Sequence, residues 1–125
     1  MVGSSGVTEF RLDKDGRPEL IKTAKLQFVD DGPGKPVAIQ QQIGRWPLIA
    51  FGNSDGDLQM LQYVSGGSGA RLAVYVHHDD AEREYAYDRS SAIGRLDKGL
   101  DEAKAKGWLV TSMKSDWKMI FPVMK

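Results

Sequence analysis

An α/β fold is predicted by three features of this sequence. Two short continuous apolar runs, at 47–51 and 72–76, are each followed by residues at helical spacing. A third strand is expected at 108–113. An alternating segment near the start carries its own turn signal. Together they predict a partial Rossmann-like, three-layer parallel sheet preceded by an N-terminal β-hairpin. The chain has 125 residues, which suits one domain, 1–125, around one core.

Residues 2–6 read either as a flexible leader or as the end of a strand and its loop. Residues 7–12 alternate in polarity, Asp13-Lys14-Asp15-Gly16 is a turn, and residues 18–22 resume an extended run. Residues 25–29 suggest a further short extended piece. Asp30-Asp31-Gly32-Pro33-Gly34 is a loop, and Pro36 fits the first position of a helix that Gly44 ends. The run 47–51 suits a strand buried on both faces. A polar loop and a helix at about 57–64 follow it, with Leu58 and Leu61 on one side.

Ser65 to Gly69 is a glycine-rich connection, and 72–76 is the second buried strand. Asp79 or Asp80 can cap a short, mostly charged helix through Tyr87, with Tyr85 in the core. Ile93, Leu96, Leu100 and Ala103 recur at helical spacing, and Gly107 suits the residue after the helix end. The third strand covers 108–113, and Trp46, Trp108 and Trp117 read as packing residues.

Composition narrows the function. Hydrophobic residues make up 41% and charged residues 27%, as in a globular domain. Seventeen basic residues balance 17 acidic ones, and no basic run suggests nucleic acid as a partner. There is no cysteine for disulfides or thiolate metal sites. No apolar stretch is long enough for a membrane helix, and the first residues lack a signal-peptide pattern. A soluble, cytoplasmic protein is the expectation.

In open parallel sheets, functional groups gather at the carboxyl ends of strands. Here that edge is Gly52-Asn53-Ser54-Asp55-Gly56-Asp57, directly after Phe51. Its oxygens suit Mg²⁺, and the next helix offers amide groups to an anion. A polar strand–helix loop with a capping aspartate has the same composition. The sequence His77-His78-Asp79-Asp80 ends the second strand. Adjacent histidines in a strand point to opposite faces, so the two do not share one metal ion easily. One imidazole, taken as His77, falls near the Asp57 loop as a substrate contact. Gly66-Gly67-Ser68-Gly69 lacks the Gly-Lys-Ser/Thr ending of a phosphate loop.

Phe51 to Leu61, Phe-Gly-Asn-Ser-Asp-Gly-Asp-Leu-Gln-Met-Leu, resembles the fourth motif of haloacid-dehalogenase-like phosphohydrolases. That motif is a strand, Gly-Asp-x-x-x-Asp, then a helix. Asn53 and Asp57 fall on its two acidic positions. Asn53 departs from the pattern by bringing an oxygen without charge, and Asp55 lies between to compensate in part. Gly34-Lys35-Pro36 before an apolar helix resembles the third motif. The resemblance implies that Lys35 is the catalytic lysine that offsets charge, and that Asn53, Asp55 and Asp57 hold Mg²⁺. It implies hydrolysis of a phosphorylated small molecule through an aspartyl-phosphate.

The family's first motif, an apolar strand running into Asp-x-Asp-x-Thr or Val, has no match here. Asp13-Lys14-Asp15 follows an alternating segment and precedes Arg17, so a hairpin turn explains it. The first two motifs are expected to belong to a separate N-terminal half. The chain is thus expected to resemble the C-terminal part of the family's core and to be inactive by the family mechanism. The alternatives are a minimal metal-dependent phosphohydrolase that uses the remaining carboxylates and histidines, or a non-catalytic oligomerising module. With no nucleophile strand beside it, the 48–51 strand becomes an edge, and a homodimer is expected.

Overall fold

A computed structural model describes residues 2–122. The hairpin consists of antiparallel strands β1 (Ser5–Leu12) and β2 (Pro18–Phe28). Its turn is fixed by Asp13, whose carboxylate accepts the amide hydrogens of Asp15 and Arg17, a local bond typical of turn aspartates. The piece expected at 25–29 is the continuation of β2. Gly6 pairs with Leu26 and Ser5 with Phe28, beyond irregularities in the register.

Helix α1 (Gly34–Ile43) follows, with Pro36 in its first turn, where a missing N–H costs nothing. Strands β3 (Ile49–Gly52), β4 (Leu72–His77) and β5 (Leu109–Ser112) form a parallel sheet in the order β3-β4-β5. Helix α2 (Leu58–Ser65) connects β3 to β4, and α3 (Lys98–Lys106) lies between β4 and β5. Gly107 ends α3 in the left-handed conformation, at φ 68°, as its place in the sequence predicted.

Both crossovers step across the sheet in one direction. Crossovers of one hand that step the same way leave their helices on the same face. The core accordingly joins Ala50, Ala73 and Tyr75 of the sheet to Leu61, Val64, Leu96 and Ala103. On the opposite face Ile49, Phe51, Leu72 and Leu109 remain exposed. The α/β fold with its hairpin is therefore present. Among the described residues, the main core cluster lies on one side of the sheet, and on the other face of β4 Val74 is also buried.

Two helical expectations fail. Residues 79–87 form no helix. The Asp80 carboxylate accepts the amides of Glu82 and Arg83, and the Asp80 carbonyl accepts the Glu84 amide. That single turn stops when the Tyr87 amide reaches back to the His78 carbonyl. Tyr85, expected in the core, is 81% exposed. The second helix starts only at Lys98. Leu96 is fully buried from the preceding loop, whereas Ile93 is 85% exposed. Among the described residues no helix is long and apolar enough to cross a membrane.

Candidate functional site

The site begins where β3 ends. A side chain at Gly52 would bring its Cβ within 2.5 Å of the Asp57 Cβ and 3.0 Å of Leu61 Cδ1. Glycine thus lets the following loop fold directly over the strand end. Residues Asp55–Asp57 make one 3₁₀ turn, closed by reciprocal bonds between Ser54 and Asp57. The Asp57 Oδ2 accepts the amides of Asn53 at 2.9 Å and Ser54 at 3.3 Å. Its Oδ1 accepts the Lys35 ammonium at 2.5 Å.

Lys35 reaches that position because the loop before α1 is tied to the same turn. The Gly32 amide donates to the Gly56 carbonyl, and Asp31 packs against Gly56. Asp57 is only 6% exposed, so its charge needs this set of donors. Burial acts to lower the Lys35 pKa. The hydrogen bond and charge of Asp57, with Asp31 and Asp30 behind it, outweigh that effect and raise it above the ordinary 10.5.

Asp55 faces elsewhere. Its Oδ1 accepts the amides of Asp97 at 3.0 Å and Gly99 at 2.8 Å, and its Oδ2 accepts that of Lys98 at 3.3 Å. It therefore caps α3 from a distant loop and satisfies amides that the helix leaves free. Asn53 donates from Nδ2 to the Tyr87 hydroxyl at 2.7 Å. The Tyr87 ring stacks on His78, with centroids 4.5 Å apart.

The two histidines separate as strand alternation requires. His78 lies on the open face. With Phe51, Gly52, Asn53, Asp57 and Val76 it lines a cavity of about 310 Å³. His77, the histidine singled out in the sequence, does not line this cavity. Its Nε2 lies 3.3 Å from Asp88 Oδ2, and its Nδ1 lies 3.9 Å from Asp79 Oδ2. The structure thus unites Lys35, Asn53 and Asp57, turns Asp55 to α3, and places His78 where His77 was expected.

Sequence reading also missed Arg83, which it assigned to a solvent-facing helix. The guanidinium pairs with Asp80 and donates to the carbonyl oxygens of Met113, Lys114, Trp117 and Lys118. Nothing in the local pattern signals those remote acceptors.

A magnesium site is not assembled by these residues. Both Asp57 oxygens are occupied by Lys35 and backbone amides, and both Asp55 oxygens by α3. Among the described residues, no group of three or more His, Asp or Glu side chains converges in a way that could hold a metal ion. No protein-family model matches the chain, and no curated protein matches it significantly.

Proposed function

We propose that this chain carries the lysine side of a haloacid-dehalogenase-like phosphohydrolase centre, with a phosphorylated small molecule as its ligand. The observation that supports this reading is the Lys35–Asp57 pair at the carboxyl edge of β3. An ammonium held there by a nearly buried carboxylate is a fixed point charge for a phosphoryl oxygen. Lys35 takes the charge-offsetting role, and Asp57 positions it. Asn53 and Asp57 line the cavity at this strand end.

Hydrolysis through an aspartyl-phosphate needs a carboxylate within reach of phosphorus. Asp13 and Asp15 belong to the hairpin turn, where Asp13 is engaged by the Asp15 and Arg17 amides. The proposal is therefore a phosphate-binding half-site without turnover by that route. Mg²⁺ association is proposed to be weak, since the carboxylate oxygens already have donors.

Self-association belongs to the same reading. β3 is an edge strand of the sheet, and its Ile49 and Phe51 side chains are exposed. Unpaired backbone groups beside wet apolar side chains favour the addition of a strand from a second copy.

The deciding experiment is a titration with inorganic phosphate, followed through the Lys35 side-chain and Asn53 amide resonances. Saturable shifts at both are expected, and Lys35→Met should abolish them. No response at tens of millimolar phosphate would overturn the reading. Phosphomonoester hydrolysis with Mg²⁺ should not exceed that of Asp57→Ala; a rate that this substitution removes would overturn the absence of turnover.

A further inference from the structure

His78 is held more firmly than a loop-edge histidine needs to be. Its Nδ1 lies 2.8 Å from Glu84 Oε2, and its ring lies flat against Tyr87. The Glu84 side chain is only 8% exposed, and its other oxygen is buried without a hydrogen-bond partner. A carboxylate left half-satisfied in the interior is costly. Here it fixes one ring nitrogen and so determines which nitrogen remains for a ligand. Among the described residues Nε2 of His78 has no hydrogen-bond partner.

The surroundings give that free nitrogen a use. His78 shares its cavity with Asn53 and Asp57, and Asp57 holds the Lys35 ammonium. The Tyr87 ring supports His78, and its hydroxyl accepts the Asn53 side-chain amide. One continuous set of contacts therefore runs from Glu84 through His78 and Tyr87 to the loop that positions Lys35.

We infer that His78 is a phosphate-contacting residue of the Asp57 cavity, positioned by Glu84 and Tyr87 to meet the same ion as Lys35. The inference rests on the phosphate reading of Lys35 and deepens it by naming a second contact for the ion. An oxyanion suits the imidazole in either state. Nε2 donates to P–O⁻ when protonated and accepts from P–OH when not. Glu84 is a positioning residue, since it reaches the ligand only through the ring.

The molecule contains its own control in His77, which lies outside the cavity. Inorganic phosphate is titrated into the full chain while the imidazole ¹⁵N resonances and the Lys35 ammonium are recorded together. Nε2 of His78 should shift with the same midpoint as Lys35, and His77 should not follow. His78→Gln should weaken phosphate roughly tenfold, the usual scale for losing one charge-assisted hydrogen bond. Should that variant unfold because Glu84 is stranded, the double variant His78→Gln/Glu84→Gln replaces the pair by two amides and carries the same expectation.

A shift at Lys35 with none at His78, or unchanged affinity in a folded His78 variant, overturns this inference and leaves the Lys35 reading standing. Shifts at neither residue overturn both. A shift at His78 alone overturns the shared ion and with it the present inference.

Discussion

Lys35, in the first turn of α1, and Asp57, in the 3₁₀ turn after β3, are 22 residues apart, yet their side chains meet at 2.5 Å. A pH titration can isolate this pair. The raised Lys35 pKa in the folded protein means that its contribution is complete below the unfolded value near 10.5. It is lost as pH rises through the higher folded value. Urea midpoints of the wild type and Lys35→Met should therefore differ at pH 8 and converge once the pH has passed the raised Lys35 pKa. The gap at pH 8 should be about 1–3 kcal/mol, since a nearly buried carboxylate loses its partner. A gap that widens with pH would contradict the pairing.

Asp55 separates a structural aspartate from a metal ligand. Its removal uncaps α3 and should cost about 1–2 kcal/mol in Asp55→Ala, with partial recovery in Asp55→Asn. Mg²⁺ affinity, followed by amide shifts, should be the same in both variants and the wild type. A marked loss of Mg²⁺ binding in Asp55→Asn would restore the ligand role that the sequence suggested.

Tyr75 offers a test of the core. Its ring is fully buried and its hydroxyl lacks a partner. Burial and the nearby charges of Asp57, Asp55 and Glu102 push the phenol pKa well up. Tyr75→Phe should leave stability unchanged or raise it by up to about 1 kcal/mol. Gly99→Ala should do the reverse, because the new Cβ would lie 2.6 Å from the Tyr75 hydroxyl oxygen. Overpacking of that kind costs about 1–3 kcal/mol. Thermal melts of the two variants provide the comparison, and a Gly99→Ala melt at the wild-type temperature would contradict this packing.

Self-association can be read by sedimentation at micromolar concentration. A dimer is expected, and Ile49→Lys should shift it toward monomer by placing a charge at the edge strand. A wild-type monomer that unfolds cooperatively at every dilution would remove β3 as an interface.

Much of the frame was legible because its signals are local. The runs containing β3 and β4 are apolar without alternation, and the Gly52–Asp57 loop follows a strand in the expected place. What escaped depended on distant partners. The charged stretch 81–89 has helix-like composition, but Arg83 bonds to carbonyls some 30 residues onward. Ile93 and Leu96 have helical spacing with Leu100, yet α3 begins only where Asp55, from another loop, caps it. The choice of His77 over His78 turned on strand phase, where one residue exchanges the faces of the sheet. Asp55 and Asp57 are alike in sequence; only the neighbours that each meets in the fold distinguish them.

The Arg83 contacts also bear on how the protein meets proteases. An enzyme that cleaves after arginine must draw the guanidinium into its own specificity pocket. Here that group is already engaged by Asp80 and by the carbonyls of the 113–118 segment. The loop is open to water, as Tyr85 shows, but the bond after Arg83 is guarded by its own side chain. Digestion at that bond therefore reports detachment of the 113–118 segment rather than exposure of the loop.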